Sequence, residues 1–329
     1  MEGVNDMSME AMADLGGNVR CVCQDEECSV YKLEDETGEG IITCYRVFPG
    51  VHLLYHDFHM DRCMSSFQPV VDMFCIDHCR EGRLEWELDD GICQYMEAGD
   101  LQMNARCSSK RMFYFPSRHY HGISISFALA EASAVLPTIL EGFQVDIDKL
   151  HETFCQPQIP FIMRAQASIE HIFSELYDVP DSIRACYFKI KVLELLLFLS
   201  TLKPPFGLRE RPYFYKSQVE KVKAIMELMT TNLHHHYTLE ELAATFEFPI
   251  TSMKNCFKGV YGTSIFAYMK TYRMNVAASR LRHSKDSIIK IALEMGYDNA
   301  SKFSAAFKAV MSMTPVLYRK SAISNQLHG

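Results

Sequence analysis

Asn299, Ser301 and Lys302 bring an amide, a hydroxyl and an ammonium within four positions, a set suited to hydrogen-bonding with base edges or phosphate oxygens. They stand in "SIIKIALEMGYDNASKFSAAFKAV" (287–310), off its apolar face. Ile288, Ile291, Ala292 and Met295 fall at i, i+3, i+4 and i+7, one helical stripe. After Gly-Tyr-Asp-Asn, Phe303, Ala306, Phe307 and Val310 repeat that spacing, while Ser301, Lys302, Ala305 and Lys308 share the other face. Asp286 is placed to cap the first helix, and Gly296 to end it in the left-handed conformation. The small Ala292 permits close crossing by a second helix. This is the layout of a helix-turn-helix, in which one helix braces and the next presents polar side chains to a DNA groove.

A second copy lies about 50 residues upstream. In "TLEELAATFEFPITSMKNCFK" (238–258), Thr238 and Glu241 make a capping-box pattern. Leu239, Leu242, Ala243 and Phe246 form the stripe, with Ala243 in the role of Ala292. Met253, Cys256, Phe257 and Val260 line the following helix, and both copies end in Phe-Lys. Between them, "SIFAYMKTYRMNVAASRLRH" (264–283) reads as one helix with Ser264 as cap. At 1.5 Å per residue it spans roughly 25–30 Å, enough to hold two recognition helices about one DNA turn apart.

The elements that must carry these units belong to a chain of 329 residues, 48% apolar, long enough for two domains. The net charge of −8 is uneven: residues 217–320 hold 14 Lys and Arg against 8 Asp and Glu, a local +6. A basic segment on an acidic chain points to a polyanion partner for that segment alone. The opening "MEGVNDMSMEAMADLGG" has neither the cationic start nor the apolar run of a secretory signal. "VLELLLFLSTL" (192–202) is too short to span a bilayer and reads as a buried helix. With 12 cysteines and no export signal, reduced thiols and a cytoplasmic location without membrane partners are expected.

Residues 1–40 read as an acidic segment of little periodicity. From 41 to about 128 the pattern is short strands: "RLEWEL" alternates with period two, and Asp90-Gly91 signals a hairpin returning through "ICQYM". "LQMNA", "RMFYF" and "GISISFAL" follow, together an antiparallel barrel or sandwich. Residues 160–180 and 182–202 each read as an amphipathic helix able to pair antiparallel. "KPPFGLRERPY" marks a linker at 203–216. The expected class is multidomain α+β, with an all-α double helix-turn-helix domain at 217–320 and a tail at 321–329.

"TLEELA", "CFKGVYGTSIFAYMKTYRMNVAASRL", "SIIKIALEMGYDNASKFSAAFK" and "MTPVLYRK" resemble the AraC/XylS family of bacterial transcription regulators over about 100 residues. The resemblance implies two helix-turn-helix subdomains on a linking helix. It also implies a cupin-like, effector-sensing barrel at 41–150 and a helical dimerisation region at 151–202. A homodimer that binds double-stranded DNA, answers to a small-molecule effector, contacts RNA polymerase and is not an enzyme follows from it. By position, Thr251, Lys254 and Asn255 of the first recognition helix, and Asn299, Ser301 and Lys302 of the second, are the base-contact candidates. Lys258, Lys270, Arg273 and Lys308 are the phosphate-contact candidates. Tyr318 and Arg319 match the family motif and are read as closing the fold. Four residues depart from the family pattern: Glu247 stands for a turn glycine, Pro249 for a serine cap, Ala305 for an arginine and Ser312 for a glycine.

"HCREGRLEWELDDGICQYMEAGDLQ" and "FPSRHYHGISISF" loosely resemble the sensing domain of siderophore-responsive members. His119 and His121 alternate onto one face of a strand and are the effector-binding candidates. His56 and His59 lie upstream, but the His-x-His…Glu pattern of metal-dependent cupin enzymes is absent, so a metal-free pocket without cofactor is expected. "CVCQDEEC" and "CIDHC" lack structural zinc spacing and read as plain thiols. A cupin enzyme, or a thiol or metal redox sensor, fused to a DNA-binding domain is the competing reading. The "HHH" at 234–236 reads as a solvated loop.

Overall fold

A computed structural model describes residues 19–65, 71–88, 91–106, 111–155, 161–203 and 213–326. Residues 1–18 of the acidic segment, Asp90 of the hairpin, 204–212 of the linker and 327–329 of the tail lie outside the described residues. The chain divides into two compact units, Met1–Tyr213 and Phe214–Gly329.

The first unit is a curled antiparallel sheet with helices on one face. Its strands are β1 (Val19–Gln24), β2 (Cys28–Asp35), β3 (Gly38–Phe48), β4 (Val51–His59), β5 (Arg62–Ser65), β6 (Met73–Glu87), β7 (Ile92–Glu97), β8 (Asp100–Arg106), β9 (Arg111–Tyr114), β10 (Tyr120–Ala128) and β11 (Phe161–Arg164). The main path runs β1-β2-β3-β4-β10-β6-β7, with β8 joining β6 to β11 and β9 joining β6 to β5. Sheet structure therefore begins at Val19, inside the stretch set apart in sequence as 1–40. Its charges mislead because Glu34, Glu39, Lys32 and Arg20 face solvent from paired strands, where ion pairs engage them.

In β10 the alternation has two buried sides. Ile123, Ile125 and Phe127 enter a core shared with helices α1 (Leu129–Ile139), α2 (Ile147–Phe154), α3 (Ala167–Leu176) and α4 (Arg184–Thr201). Ser124 and Ser126, also buried, face the inside of the curl. "RLEWEL" behaves likewise: Trp86 is buried, but so are Arg83 and Glu85, which ion-pair with Glu97 and accept from the Tyr95 hydroxyl at 2.9 Å respectively. The hairpin after it closes through Leu88 N–H to the Ile92 carbonyl (2.8 Å), with Gly91 at φ +71°.

Residues 161–164, expected as the start of a helix, form β11 instead, where Phe161 to Arg164 pair with Met103 to Asp100. The sheet supplies backbone partners there, and the helix starts only at Ala167. Helices α3 and α4 then pack on each other through Ile169, Ile172, Phe173, Val192, Leu195 and Leu196. Lys191 of α4 joins Glu175 across the pair, and Glu194 contacts His171 at 3.2 Å.

The second unit is all helix apart from its first residues: α5 (Lys216–Thr231), α6 (Leu239–Thr245), α7 (Ile250–Tyr261), α8 (Ile265–His283), α9 (Ile288–Glu294), α10 (Ala300–Met311) and α11 (Pro315–Gln326). Among the described residues, no helix is long and apolar enough to cross a membrane.

Candidate nucleic-acid interface

Each helix-turn-helix is built around a buried stripe on its second helix. In α7 the buried residues are Met253, Cys256, Phe257 and Val260, and in α10 they are Phe303 and Phe307. The second set joins Ile291 and Ala292 of α9, Met295 at its C-cap, and Met274, Ala277, Ala278 and Leu281 of α8 in one core. The caps fix where each brace helix starts. Thr238 accepts from the Glu241 amide while Glu241 accepts from the Thr238 amide, a complete capping box. Ser264 caps α8. At α9 the cap is Ser287 rather than Asp286: Ser287 Oγ accepts from the Lys290 amide at 3.1 Å, and Asp286 pairs with the Lys290 ammonium at 2.7 Å. The shorter serine reaches the amide from inside the turn, leaving the aspartate free for the charge four residues on.

The two turns share one backbone design. Phe248 N–H donates to the Ala243 carbonyl at 3.0 Å, and Tyr297 N–H to the Ala292 carbonyl at 2.9 Å. The residue before each donor is left-handed: Gly296 at φ +80° and Glu247 at φ +46°. Glu247 thus holds the glycine conformation with a side chain that resists it. Pro249 begins α7 with no side-chain cap, as the missing serine implies, and Ser312 ends α10 left-handed at φ +61°.

Opposite these cores, Thr251, Lys254, Asn255 and Lys258 of α7 are exposed, as are Ser301, Lys302, Ala305 and Lys308 of α10 and Lys270 of α8. Both second helices therefore offer a polar face of mixed donors and acceptors, free of acidic residues. Asn299 is also exposed, but its Oδ1 accepts from the Ser301 amide (2.8 Å) and the Lys302 amide (3.1 Å) as the α10 cap. Only its amide donors are left for a base, so the donor-and-acceptor pairing with adenine is ruled out while the cap holds.

Arg273 is not placed for phosphate. It is 6% exposed, on the buried side of α8, and donates to two carbonyls in the segment between α5 and α6. Burial lowers its basicity, and the guanidinium serves the fold. Tyr318 packs edge-on against Phe307 at 5.4 Å, and Arg319 donates to the Asp286 carbonyl at 2.7 Å, so both close the unit. The triple histidine at 234–236 is an exposed loop as expected, and its His236 Nε2 also lies 2.9 Å from the Gly296 carbonyl oxygen.

In the first unit, His119 and His121 do not reach the interior of the curl. His119 Nδ1 lies 3.1 Å from the Ser117 carbonyl, and His121 Nε2 lies 3.1 Å from Asp57 on the opposite sheet face. The interior instead holds a polar chain that sequence reasoning missed. His56 Nε2 meets Ser124 Oγ at 2.8 Å, Ser124 donates to Asp77 at 2.5 Å, and Asn104 donates to Asp77 at 2.7 Å. Arg106 completes it, 3.4 Å from Asp77. Burial holds the His56 imidazole down at about 4, although Asp77 opposes the shift. The signal was available in the alternating Ser124/Ser126 and Gln102/Asn104, polar on the side normally given to solvent.

The cysteine motifs split the same way. Cys75 and Cys79 are buried, their thiols pushed up to about 11 and about 12 by burial. His78 of the same "CIDHC" faces the opposite side, stacked 4.3 Å from the Phe173 ring, so the three cannot share an ion.

Two helix-turn-helix units joined by one long helix define the class, a DNA-binding domain. Residues 242–321 match the family described as "Helix-turn-helix domain". RhaR, a transcriptional activator of Mannheimia succiniciproducens, is 25% identical over 32% of this chain and 39% of its own length. The transcriptional regulator Rob of Salmonella typhimurium is 31% identical over 31% of this chain and 35% of its own. An AraC-like transcription regulator of Streptomyces antibioticus is 33% identical over 26% and 28%. The match thus spans well under half of each of these relatives. This unit is therefore similar to the DNA-binding part of AraC-type transcription regulators.

Proposed function

We propose that the chain is a ligand-responsive transcription regulator that reads double-stranded DNA with α7 and α10 in successive major grooves. The observation that carries this reading is the repeated unit itself, two braced helices with exposed, acid-free polar faces on a segment of local charge +6. Thr251, Lys254, Asn255, Ser301 and Lys302 contact bases, and Lys258, Lys270 and Lys308 contact phosphate. The curled sheet acts as the cupin-like sensing barrel. Its interior polar chain supports an effector with hydrogen-bonding groups, because His56 Nδ1 and Ser126 Oγ are buried there without partners. That effector is a siderophore or another metabolite, and the identity of the target genes distinguishes the two.

Homodimerisation through α3 and α4 is supported by the outer side of α4. Ile190 (60% exposed) and Leu197 (48%) continue a line from Ile183 and Cys186 at helical spacing. Effector binding then shifts the balance between domain arrangements that differ in affinity for DNA or RNA polymerase.

The test is sequencing of genomic DNA fragments captured by the purified protein at physiological salt. Enriched promoters sharing two half-sites about one turn apart are expected, and the genes behind them name the effector class. Capture without sequence enrichment, both with and without small-molecule extract, would refute sequence-specific regulation.

A further inference from the structure

On the sheet face opposite the polar interior, two imidazoles converge on one carboxylate oxygen. Asp57 and His59 stand two apart on β4, so both point to the same side, and His121 of β10 is the residue directly paired with Asp57. His59 Nε2 lies 2.9 Å from Asp57 Oδ1, and His121 Nε2 lies 3.1 Å from the same atom. The three donor atoms all fall within 4.8 Å of one another.

Neither contact has hydrogen-bond geometry. Asp57 Oδ1 is buried and lacks a hydrogen-bond donor, although two imidazole nitrogens touch it. A buried carboxylate oxygen in that position is unsatisfied by the protein alone. Neighbouring groups do not supply the missing partner. Glu39, opposite His59 on β3, is engaged by Lys32 at 2.7 Å. His119 meets His121 edge-on at 6.1 Å but is held to the Ser117 carbonyl through Nδ1.

We propose that Asp57, His59 and His121 form a binding site for a divalent transition-metal ion, with zinc as the best match. Two imidazole nitrogens and one carboxylate oxygen are a borderline donor set of the kind zinc takes. Bonds of about 2.0–2.2 Å in tetrahedral geometry set donors roughly 3.3 Å apart. The Oδ1 contacts need only open by a few tenths of an ångström, within the rotamer freedom of half-exposed side chains. Adjacent paired strands fix the three Cβ positions before the ion arrives, and the fourth position is open to solvent or an incoming ligand. The site lies outside the interior expected to be metal-free and is independent of the regulator reading above.

The experiment titrates Co²⁺, then Zn²⁺, into full-length protein freed of metal by chelation. One Co²⁺ per chain is expected, with visible d–d absorption of low symmetry, no thiolate charge-transfer band, and displacement by Zn²⁺. His59→Ala and His121→Ala should each lower affinity at least tenfold, and Asp57→Asn by a similar factor. A C21S/C23S/C28S variant should bind like the parent, which separates this site from the cysteines nearest the first strands. Absence of stoichiometric binding overturns the proposal. So does a thiolate band, or binding unchanged in the His59→Ala/His121→Ala double variant.

Discussion

Arg273 donates from Nε to the Leu233 carbonyl and from Nη2 to the His235 carbonyl, each at 2.9 Å. One side chain on the linking helix therefore ties down the segment that leads into the first helix-turn-helix. A net contribution of about 1.5–3 kcal/mol is typical of a hydrogen bond to a charged group. Arg273→Ala is expected to lower stability by ~3 kcal/mol in urea unfolding while the folded fraction keeps its affinity for DNA. Exposed Lys270 should behave oppositely, costing under ~0.5 kcal/mol as alanine but weakening DNA binding and flattening its salt dependence. Equal stability losses in the two variants would refute the division of roles.

The left-handed residues offer a second measurement. Glu247 (φ +46°) and Ser312 (φ +61°) hold conformations that glycine takes freely, at a cost of roughly 1–2 kcal/mol to other residues. Part of any gain is returned because glycine is more flexible when unfolded. Glu247→Gly and Ser312→Gly should each stabilise by about 0.5–1 kcal/mol, read as a rise in melting temperature. Gly296→Ala should do the reverse, since a Cβ there meets the His234 carbonyl oxygen at 2.7 Å besides being left-handed. A rise in melting temperature for Gly296→Ala would contradict the shared turn design.

Acid should weaken the first unit through His56. Its folded pKa, about 4, lies below the ordinary 6.5 because burial disfavours the charged ring. The unfolded chain therefore binds the extra proton first, and stability falls as pH drops from 6.5 toward 4. The loss is at most about 1.4 kcal/mol per pH unit. Above 6.5 the group contributes no pH dependence. Denaturation midpoints across pH 4–7 should show this slope, and His56→Gln should flatten it. An identical slope in the variant would place the acid sensitivity elsewhere.

The second unit was more legible in sequence than the first, and the reason is local. Its caps, stripes and turns depend on residues three to five apart, so Thr238, Glu241, Ser264 and Gly296 could be placed from spacing alone. The exchange of Asp286 for Ser287, the capping role of Asn299 and the burial of Arg273 escaped, because each depends on which side-chain group reaches a backbone atom. The first unit depends on partners far along the chain. β11 is a strand because β8 lies beside it, and Asp77 is tolerable inside because Ser124 and Asn104 reach it from other strands. Periodicity reports that a strand has two sides; it does not report that both are covered. The meeting of Asp57, His59 and His121 likewise required the β4–β10 register, which no spacing along the chain reveals.

Asn299 allows stability and recognition to be separated at a single position. Its Oδ1 satisfies the amides of Ser301 and Lys302, a cap whose removal costs about 1 kcal/mol. Asn299→Ala should lose that amount and weaken DNA binding only modestly, since the residue has no free acceptor to lose. Asn299→Asp keeps the acceptor and adds a negative charge that the helix N-terminus favours, so stability should hold or rise slightly. Yet the same charge would sit where α10 meets the groove, facing phosphates and acceptor-rich base edges. Affinity for an identified operator should therefore fall at least tenfold in Asn299→Asp, most steeply at low salt, where screening is weakest. A stable Asn299→Asp variant that binds its operator as tightly as the parent would mean that the α10 N-terminus lies away from DNA. Ser301 and Lys302, one turn of the same helix, would then lose their assignment as base contacts together with it.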